Sequence, residues 1–341
     1  MKILITGGAG FIGSHTILEI LEHTDWTPIS LDSFINSEPR TFDRIKDITG
    51  TEVKNYALDL RNLEDCRQVF EENEFAGILH FAALKAVGES VQKPLLYYQN
   101  NIQGLLNLID LQMEYGVPHH IYSSSCTVYG SAKELPVSES TPSGQAESPY
   151  GWTKVMSEEI LKDIALSSES LNVLALRYFN PVGAHSSGKL GELPKGVPNN
   201  LVPYITQTAV GVREKLTIHG DDYETRDGTC LRDYIHVTDI ASAHLAAMKH
   251  LLEGKQRAPF DFINLGSGIG VTVKEAVDAF IKVNQVHLNY AIGPRRSGDV
   301  AAIYADNTKA LSVLGWKPIR DLDEMMRSAW KWQQELGRQS L

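Results

Sequence analysis

The sequence is poor in cysteine. Cys66, Cys126 and Cys230 are scattered through 341 residues. They are odd in number and form no CxxC pair, so they make no disulfide framework, and a reducing, cytoplasmic setting is expected. No apolar run approaches the ~18 residues of a membrane span. The segment Met1–Thr6 runs straight into glycines, without the apolar length or cleavage site of a signal peptide. Positive charge is also scarce: 32 Lys and Arg face 42 Asp and Glu, a net charge of −10. Phosphate backbones demand positive surface, so nucleic acid is a poor partner. An anionic small molecule stays open, provided it meets Arg or Lys locally. No His/Cys/Asp cluster has metal spacing, and no metal is expected.

What is present is an ordinary globular composition, 43% hydrophobic and 22% charged. At roughly 150 residues per domain, the length fits about two domains. Strand-like runs at Lys2–Thr6, Pro28–Leu31, Val53–Leu58, Gly77–Ala82, His120–Ser124 and Val173–Tyr178 alternate with helical patterns. Those patterns lie at Phe11–His23, Leu63–Asn73, Leu95–Tyr115 and Tyr150–Leu166. Such βα repeats predict an α/β fold with a doubly wound parallel sheet of Rossmann type. From Asn180 to Asn200 the texture turns to Pro and Gly clusters, a long loop leading into a smaller α/β unit. Helices are expected there at Leu201–Val212, Val237–Leu252, Val273–Asn284 and Leu322–Glu335, with strands at Leu216–His219 and Phe260–Leu265. The division is 1–180 for a dinucleotide and 181–341 mainly for a substrate, with part of the chain returning to the first unit.

Gly7, Gly10 and Gly13 follow the first strand and open the first helix. Gly7 suits a tight turn, Gly10 a close backbone approach to pyrophosphate, and Gly13 close helix–strand packing. Asp32 ends the second strand, where a carboxylate bonds ribose hydroxyls and repels a 2′-phosphate, favouring NAD over NADP. A turn-capping Asp would look the same. Asp59 could reach the adenine amino group or merely cap a turn. Tyr150 and Lys154 are four residues apart at a helix start, so phenol and ammonium share a face. An unperturbed Tyr titrates near ~10; bringing it to ~7 takes about 4 kcal/mol, which Lys⁺ and a nicotinamide cation could supply. The preceding strand ends in Ser123-Ser124-Ser125.

Three stretches carry more information than any glycine motif: His80–Ser90, Ser123–Gly130 and Arg177–His185. With Pro198–Leu201 and Arg232–Val237 they resemble the extended short-chain dehydrogenase/reductase family, and within it the UDP-glucose 4-epimerases. The resemblance spans nearly the whole chain. It implies Ser125, Tyr150 and Lys154 as catalytic residues, acting through a transient 4-keto sugar with bound NAD. It implies dinucleotide contacts from Phe11, Ile12, Asp32, Asn36, Ser37, Asp59, Leu60, Phe81, Ala82, Ala83, Lys85, Asn100, Ser123, Tyr150, Lys154 and Phe179. A UDP-sugar would meet Ser125, Tyr150, Tyr178, Asn180, Asn200, Leu201, Thr217, His219, Arg232, Arg296 and Asp299. Guanidinium forks suit the diphosphate. His219 departs from the Phe common in the family, though it can still stack. Ile303 would flank the sugar's 2-position, with a size that favours UDP-galactose and leaves weak UDP-GalNAc turnover open. A 4-epimerase of another UDP-sugar, N-acetylated or uronic, is the alternative. A 4,6-dehydratase would need Asp-Glu after the serine/threonine position, whereas Cys126-Thr127 follow Ser125. The two helices around 95–115 and 150–166 are apolar on more than one face, and the resemblance implies that they pair in a C2 homodimer.

Overall fold

The computed structural model describes residues 1–296 and 299–339. In chain order, its first half runs β1 (Lys2–Thr6), α1 (Phe11–His23), β2 (Thr27–Leu31), α2 (Arg40–Thr49), β3 (Lys54–Tyr56), α3 (Leu63–Glu71), β4 (Phe75–His80), α4 (Val87–Gln92), α5 (Pro94–Tyr97), a π turn at Tyr98–Ile102, α6 (Gln103–Glu114), β5 (His119–Ser125), α7 (Pro149–Ser167) and β6 (Asn172–Tyr178). The second half runs β7 (Asn180–Val182), α8 (Leu201–Ala209), β8 (Leu216–His219), β9 (Leu231–His236), α9 (Val237–Leu252), β10 (Phe260–Leu265), β11 (Gly270–Thr272), α10 (Val273–Asn284), β12 (Tyr290–Gly293), β13 (Ala302–Ile303), α11 (Thr308–Leu314) and α12 (Leu322–Gln339).

Seven strands form one sheet in the order β10-β6-β5-β4-β1-β2-β3, every adjacent pair parallel. The alternation of β1 feeds two helical layers. Ile3 and Ile5 join a core with Ile17 and Ile20 of α1 and Met248 of α9. Leu4, facing the other way, joins Val69 of α3 and Leu108 and Leu111 of α6. The strand order reverses between β1 and β4, which opens a crevice at their C-terminal ends. β10 pairs with β6 from Phe260↔Val173 to Leu265↔Tyr178, so a strand far along the chain completes this sheet.

The remaining elements build a smaller layer. β9 pairs with β7, β11 and β13, while β8 and β12 form a separate parallel pair. Val202 and Ile205 of α8, Phe280 of α10 and Met326 of α12 fill its core.

Three local departures from the sequence pattern have physical causes. The helix expected over 95–115 breaks at the π turn, where Asn101 is buried. Its side chain accepts from the Leu84 N–H at 2.9 Å, and donates to the Leu84 carbonyl at 3.0 Å and to Thr153 Oγ1 at 3.1 Å. The extra residue in the turn aims this amide into the sheet's mouth. α2 carries no helical signal in the sequence because only Thr41, Arg44 and Ile45 are buried, too few for an apolar stripe. β9 is hidden in the sequence because Arg232 and Asp233 interrupt its apolar run. The buried Asp233 carboxylate instead gathers four donors, Ser267 N and Oγ, Gly268 N and Ala305 N, at 2.6–3.1 Å.

Candidate active site

The glycine turn lies at the sheet's switch point. Gly7 has φ +74°, and a Cβ there would stand 2.8 Å from the Ala82 nitrogen. A Cβ on Gly13 would meet the Gly7 carbonyl oxygen at 2.3 Å. Both positions therefore exclude a side chain, one by conformation and contact, the other by contact alone. Gly10 is the N-cap of α1 and supplies no capping side chain, so the first-turn amides of Phe11 and Ile12 face outward. A cleft opens beside the turn. Gly7, Asp32, Asn36, Asp59, Leu60, Ala82, Ala83 and Asn100 line it.

Asp32 is held rigidly. Oδ1 accepts from Phe34 N at 2.9 Å and Ser37 Oγ at 2.7 Å; Oδ2 accepts from Ala9 N at 2.9 Å. A carboxylate has about four acceptor sites, so Oδ2 keeps one free for a hydroxyl. The capping and ligand readings of this residue are thus compatible. Asp59 also lines the cleft, but Arg61 grips both its oxygens at 2.5–3.1 Å and holds the carboxyl below its usual range. Phe81 turns its ring inward onto His244, 4.7 Å between centroids, and its N–H donates to the Thr6 carbonyl. Asn36 reaches towards the Ala83 carbonyl at 3.5 Å, and the Asn100 amide donates to Asn101 Oδ1 at 3.0 Å.

The chemical groups meet at the end of β5. Ser148 caps α7 through the Gly151 N–H and Pro149 occupies its first turn, which brings Tyr150 and Lys154 onto the face towards β5. Tyr150 lies close enough to Ser125 for that hydroxyl to favour the phenolate. Ser125 Oγ also accepts from the Thr127 N–H at 3.2 Å, capping a short 3₁₀ turn. Lys154 is buried and donates to the Ser123 carbonyl at 2.6 Å. Its ammonium sits 4.8 Å from the Tyr122 ring centroid and 5.9 Å from that of Tyr150. Burial pushes Lys154 down to about 7 and Tyr150 up to about 12. The expected lowering of the tyrosine is therefore not a property of the polypeptide alone. Desolvation outweighs the favourable effect of Ser125, and a further positive charge is required.

Towards the smaller layer, Arg232 donates to the Leu231 and Val300 carbonyls at 2.9 and 2.8 Å. Asp299 joins the two arginines: Arg296 grips it at 2.7 and 3.1 Å, and Arg232 approaches to 3.6 Å. The Asp299 carboxylate, expected among the UDP-sugar contacts, is here their common counter-charge. Ile303 pairs with Arg232 between β13 and β9 and packs beside Phe179 and Val128. Asn180 pairs with Tyr234 between β7 and β9. Asn200 occupies the N-cap position of α8 ahead of Leu201, and its side chain donates to Glu192 at 2.6 Å instead of capping the helix. Thr217 lies inside β8, paired with Ala291, and His219 ends it, exposed beside the Pro294 carbonyl. Two positions differ from the expected roles. Tyr178 is buried with its hydroxyl bonded to His244, so that group faces the interior rather than a sugar. Lys85 is drawn off the cleft wall to Glu192 at 3.1 Å. Glu192 itself lies in the aperiodic segment, where no pattern singled it out.

A family described as GDP-mannose 4,6 dehydratase matches residues 4–329. The UDP-glucose 4-epimerase of Erwinia amylovora is 48% identical over 337 residues, covering 98% of each chain. That of Bos taurus is 44% identical over 340 residues, covering 98% of this chain and 97% of its own. The chain belongs to the UDP-glucose 4-epimerase family. Solved members of the family have the same fold. A Bifidobacterium longum enzyme, in complex with NAD+ and UDP, superposes with a TM-score of 0.94 at 46% identity over 98% of each chain. A Stenotrophomonas maltophila enzyme, with bound NAD and formylated UDP-arabinopyranose, reaches 0.96 at 43% identity over 99% of each. Membership on the epimerase side agrees with Cys126-Thr127 after Ser125, a place without a carboxylic acid. Among the described residues no helix is long and apolar enough to cross a membrane, and no group of His, Cys, Asp or Glu could hold a metal ion.

Proposed function

We propose that the chain is an NAD-dependent UDP-glucose 4-epimerase that interconverts UDP-galactose and UDP-glucose. The observation that carries this is the meeting of Tyr150 and Ser125 beside a buried Lys154, in a fold whose glycine turn and Asp32 wall a cleft. The cleft suits a dinucleotide. A Cβ at Gly7 or Gly13 would collide with its floor, the α1 amides can take pyrophosphate, and Asp32 Oδ2 can take a ribose hydroxyl. NAD, when bound, supplies a hydride acceptor and a cationic ring.

Tyr150 and Ser125 handle the proton of the sugar's 4-hydroxyl. Ser125 both donates and accepts, so it can pass that proton to the phenolate and return it. Lys154 would hold the ribose of a bound dinucleotide and, when protonated, would add positive charge beside the phenol. Arg232 and Arg296 hold the diphosphate and Asn200 steadies it, so the sugar can present either face of a 4-keto carbon. With a cofactor there to hold the C4 hydride, its return to the opposite face would invert C4 with no net redox change. Ile303, intermediate in bulk and packed against Phe179, leaves little room at the sugar's 2-position; UDP-GalNAc is turned over more slowly than UDP-galactose.

The enzyme works as a C2 homodimer. Leu106 and Met113 of α6 and Trp152 and Met156 of α7 are 37–42% exposed, an apolar face that a second copy covers. All three cysteines are free, as a reducing cytoplasm requires.

The test is to mix the purified protein with UDP-galactose, adding no cofactor, and follow the anomeric protons by NMR. Approach to one UDP-galactose/UDP-glucose mixture from either sugar is expected. Silence even after NAD is added would overturn the assignment.

A further inference from the structure

Glu192 lies between the two halves of the site, in the segment before α8. Its side chain is 12% exposed, and Oε1 accepts two bonds: from Lys85 Nζ at 3.1 Å and from Asn200 Nδ2 at 2.6 Å. Lys85 comes from the stretch after β4, beside the dinucleotide cleft; Asn200 leads α8, on the sugar side. The Trp332 indole N–H donates to the Glu192 carbonyl at 2.9 Å and fixes the backbone beneath. Asn is among the best helix caps, yet the Asn200 side chain makes no capping bond to α8. It is diverted to the carboxylate.

That diversion has a consequence for anion binding. An amide presents either its NH2 or its oxygen, and only the NH2 attracts a diphosphate. A carboxylate can only accept, so it locks the Asn200 nitrogen in place and leaves the second N–H to point elsewhere. The same carboxylate would repel a diphosphate, and the Lys85 ammonium offsets that charge. We propose that Glu192 is a positioning residue for the nucleotide-sugar: it orients the Asn200 amide as a donor, with Lys85 as the counter-charge that makes this compatible with an anionic substrate. The inference rests on the epimerase reading above.

Loss of a charge-assisted hydrogen bond costs roughly tenfold or more in affinity. Glu192→Ala is therefore expected to raise KM for UDP-galactose about tenfold, with kcat changed less than about threefold. Glu192→Gln, which keeps an acceptor oxygen, recovers most of that loss. The decisive comparison is in a Lys85→Ala background. There Glu192 is left uncompensated beside the diphosphate, so adding Glu192→Gln tightens binding of UDP, measured by titration calorimetry on the NAD-loaded protein. Losses that simply add in the double variant, or a KM that Glu192→Ala leaves unmoved, would overturn the proposal. A thermal melt of each variant separates these outcomes from unfolding. A wild-type protein that binds UDP without epimerising UDP-galactose would refute the functional reading, while the calorimetric comparison would still decide the role of Glu192.

Discussion

Tyr150 and Lys154 show what a single side chain owes to its place. Their i, i+4 spacing was visible in the sequence, and the helix start at Ser148-Pro149 puts both on the face towards Ser125. Their ionisation was not visible, because burial depends on what covers them. Tyr150→Phe removes the proton carrier and should lower kcat by about 10²–10⁴, read in the NMR assay, with UDP affinity retained. Lys154 carries a second signature. Its value falls to about 7 in the fold, against about 10.4 in an unfolded chain. Between those values the unfolded chain holds a proton that the folded protein has released, so this group makes stability rise with pH across that window. Lys154→Met should flatten the rise in urea midpoint of the cofactor-free protein from pH 7 to 10. Asp32 was legible as a candidate ribose ligand from its distance to the glycine turn. Its fixed orientation by Ala9, Phe34 and Ser37 came only with the fold. Asp32→Ser should weaken NAD binding and narrow its margin over NADP, measured by titration of the cofactor-free protein.

At the scale of elements, the glycine turn was legible because glycine is the only residue whose absence of a side chain can be read directly. The 2.3 Å approach of a Cβ on Gly13 to the Gly7 carbonyl turns the motif into a steric statement. Gly13→Ala should push α1 off the turn, and the purified protein should carry far less NAD, measured by absorbance of the extracted nucleotide. The joint between α7 and β6 was illegible. Arg177 is 2% exposed and pairs with Glu158 at 2.5 and 2.9 Å; Glu158 also accepts from Ser124 at 2.5 Å. Glu158 sits one turn after Lys154, so the ion pair beneath the sheet also sets the height of the catalytic helix. Glu158→Ala strands a buried guanidinium and should cost about 3–5 kcal/mol in urea unfolding. Charged residues inside a strand and on a helix read as surface in a sequence. Only the packing of α7 on the sheet reveals them as an interior pair.

At the scale of the whole molecule, the buried histidines set an acid limit. His15, His120 and His236 are pushed down to about 3 and His244 to about 4, all by burial. The unfolded chain takes up protons near pH 6.5 that the fold refuses, so stability falls as the pH drops below that value. Urea midpoints should decline from pH 7 to 5, and more steeply than carboxylate titration alone would give. Light scattering should return a dimer mass, and Met156→Glu on the exposed face of α7 should shift it to a monomer. The sequence by itself determined the parallel βα order, the glycine turn and the family, and it placed Asp32 at a strand end and Tyr150 and Lys154 on one helix face, because each is a matter of local spacing or of contiguous residues. Tertiary structure decided that β10 joins the first sheet, that β9 is a strand around a buried Asp233, and that Tyr178 faces His244. It also decided that Glu192 stands between Lys85 and Asn200. The reason is distance along the chain: Lys85 and Glu192 are 107 residues apart, and which residues come into contact across such a gap is settled by the closing of the sheet.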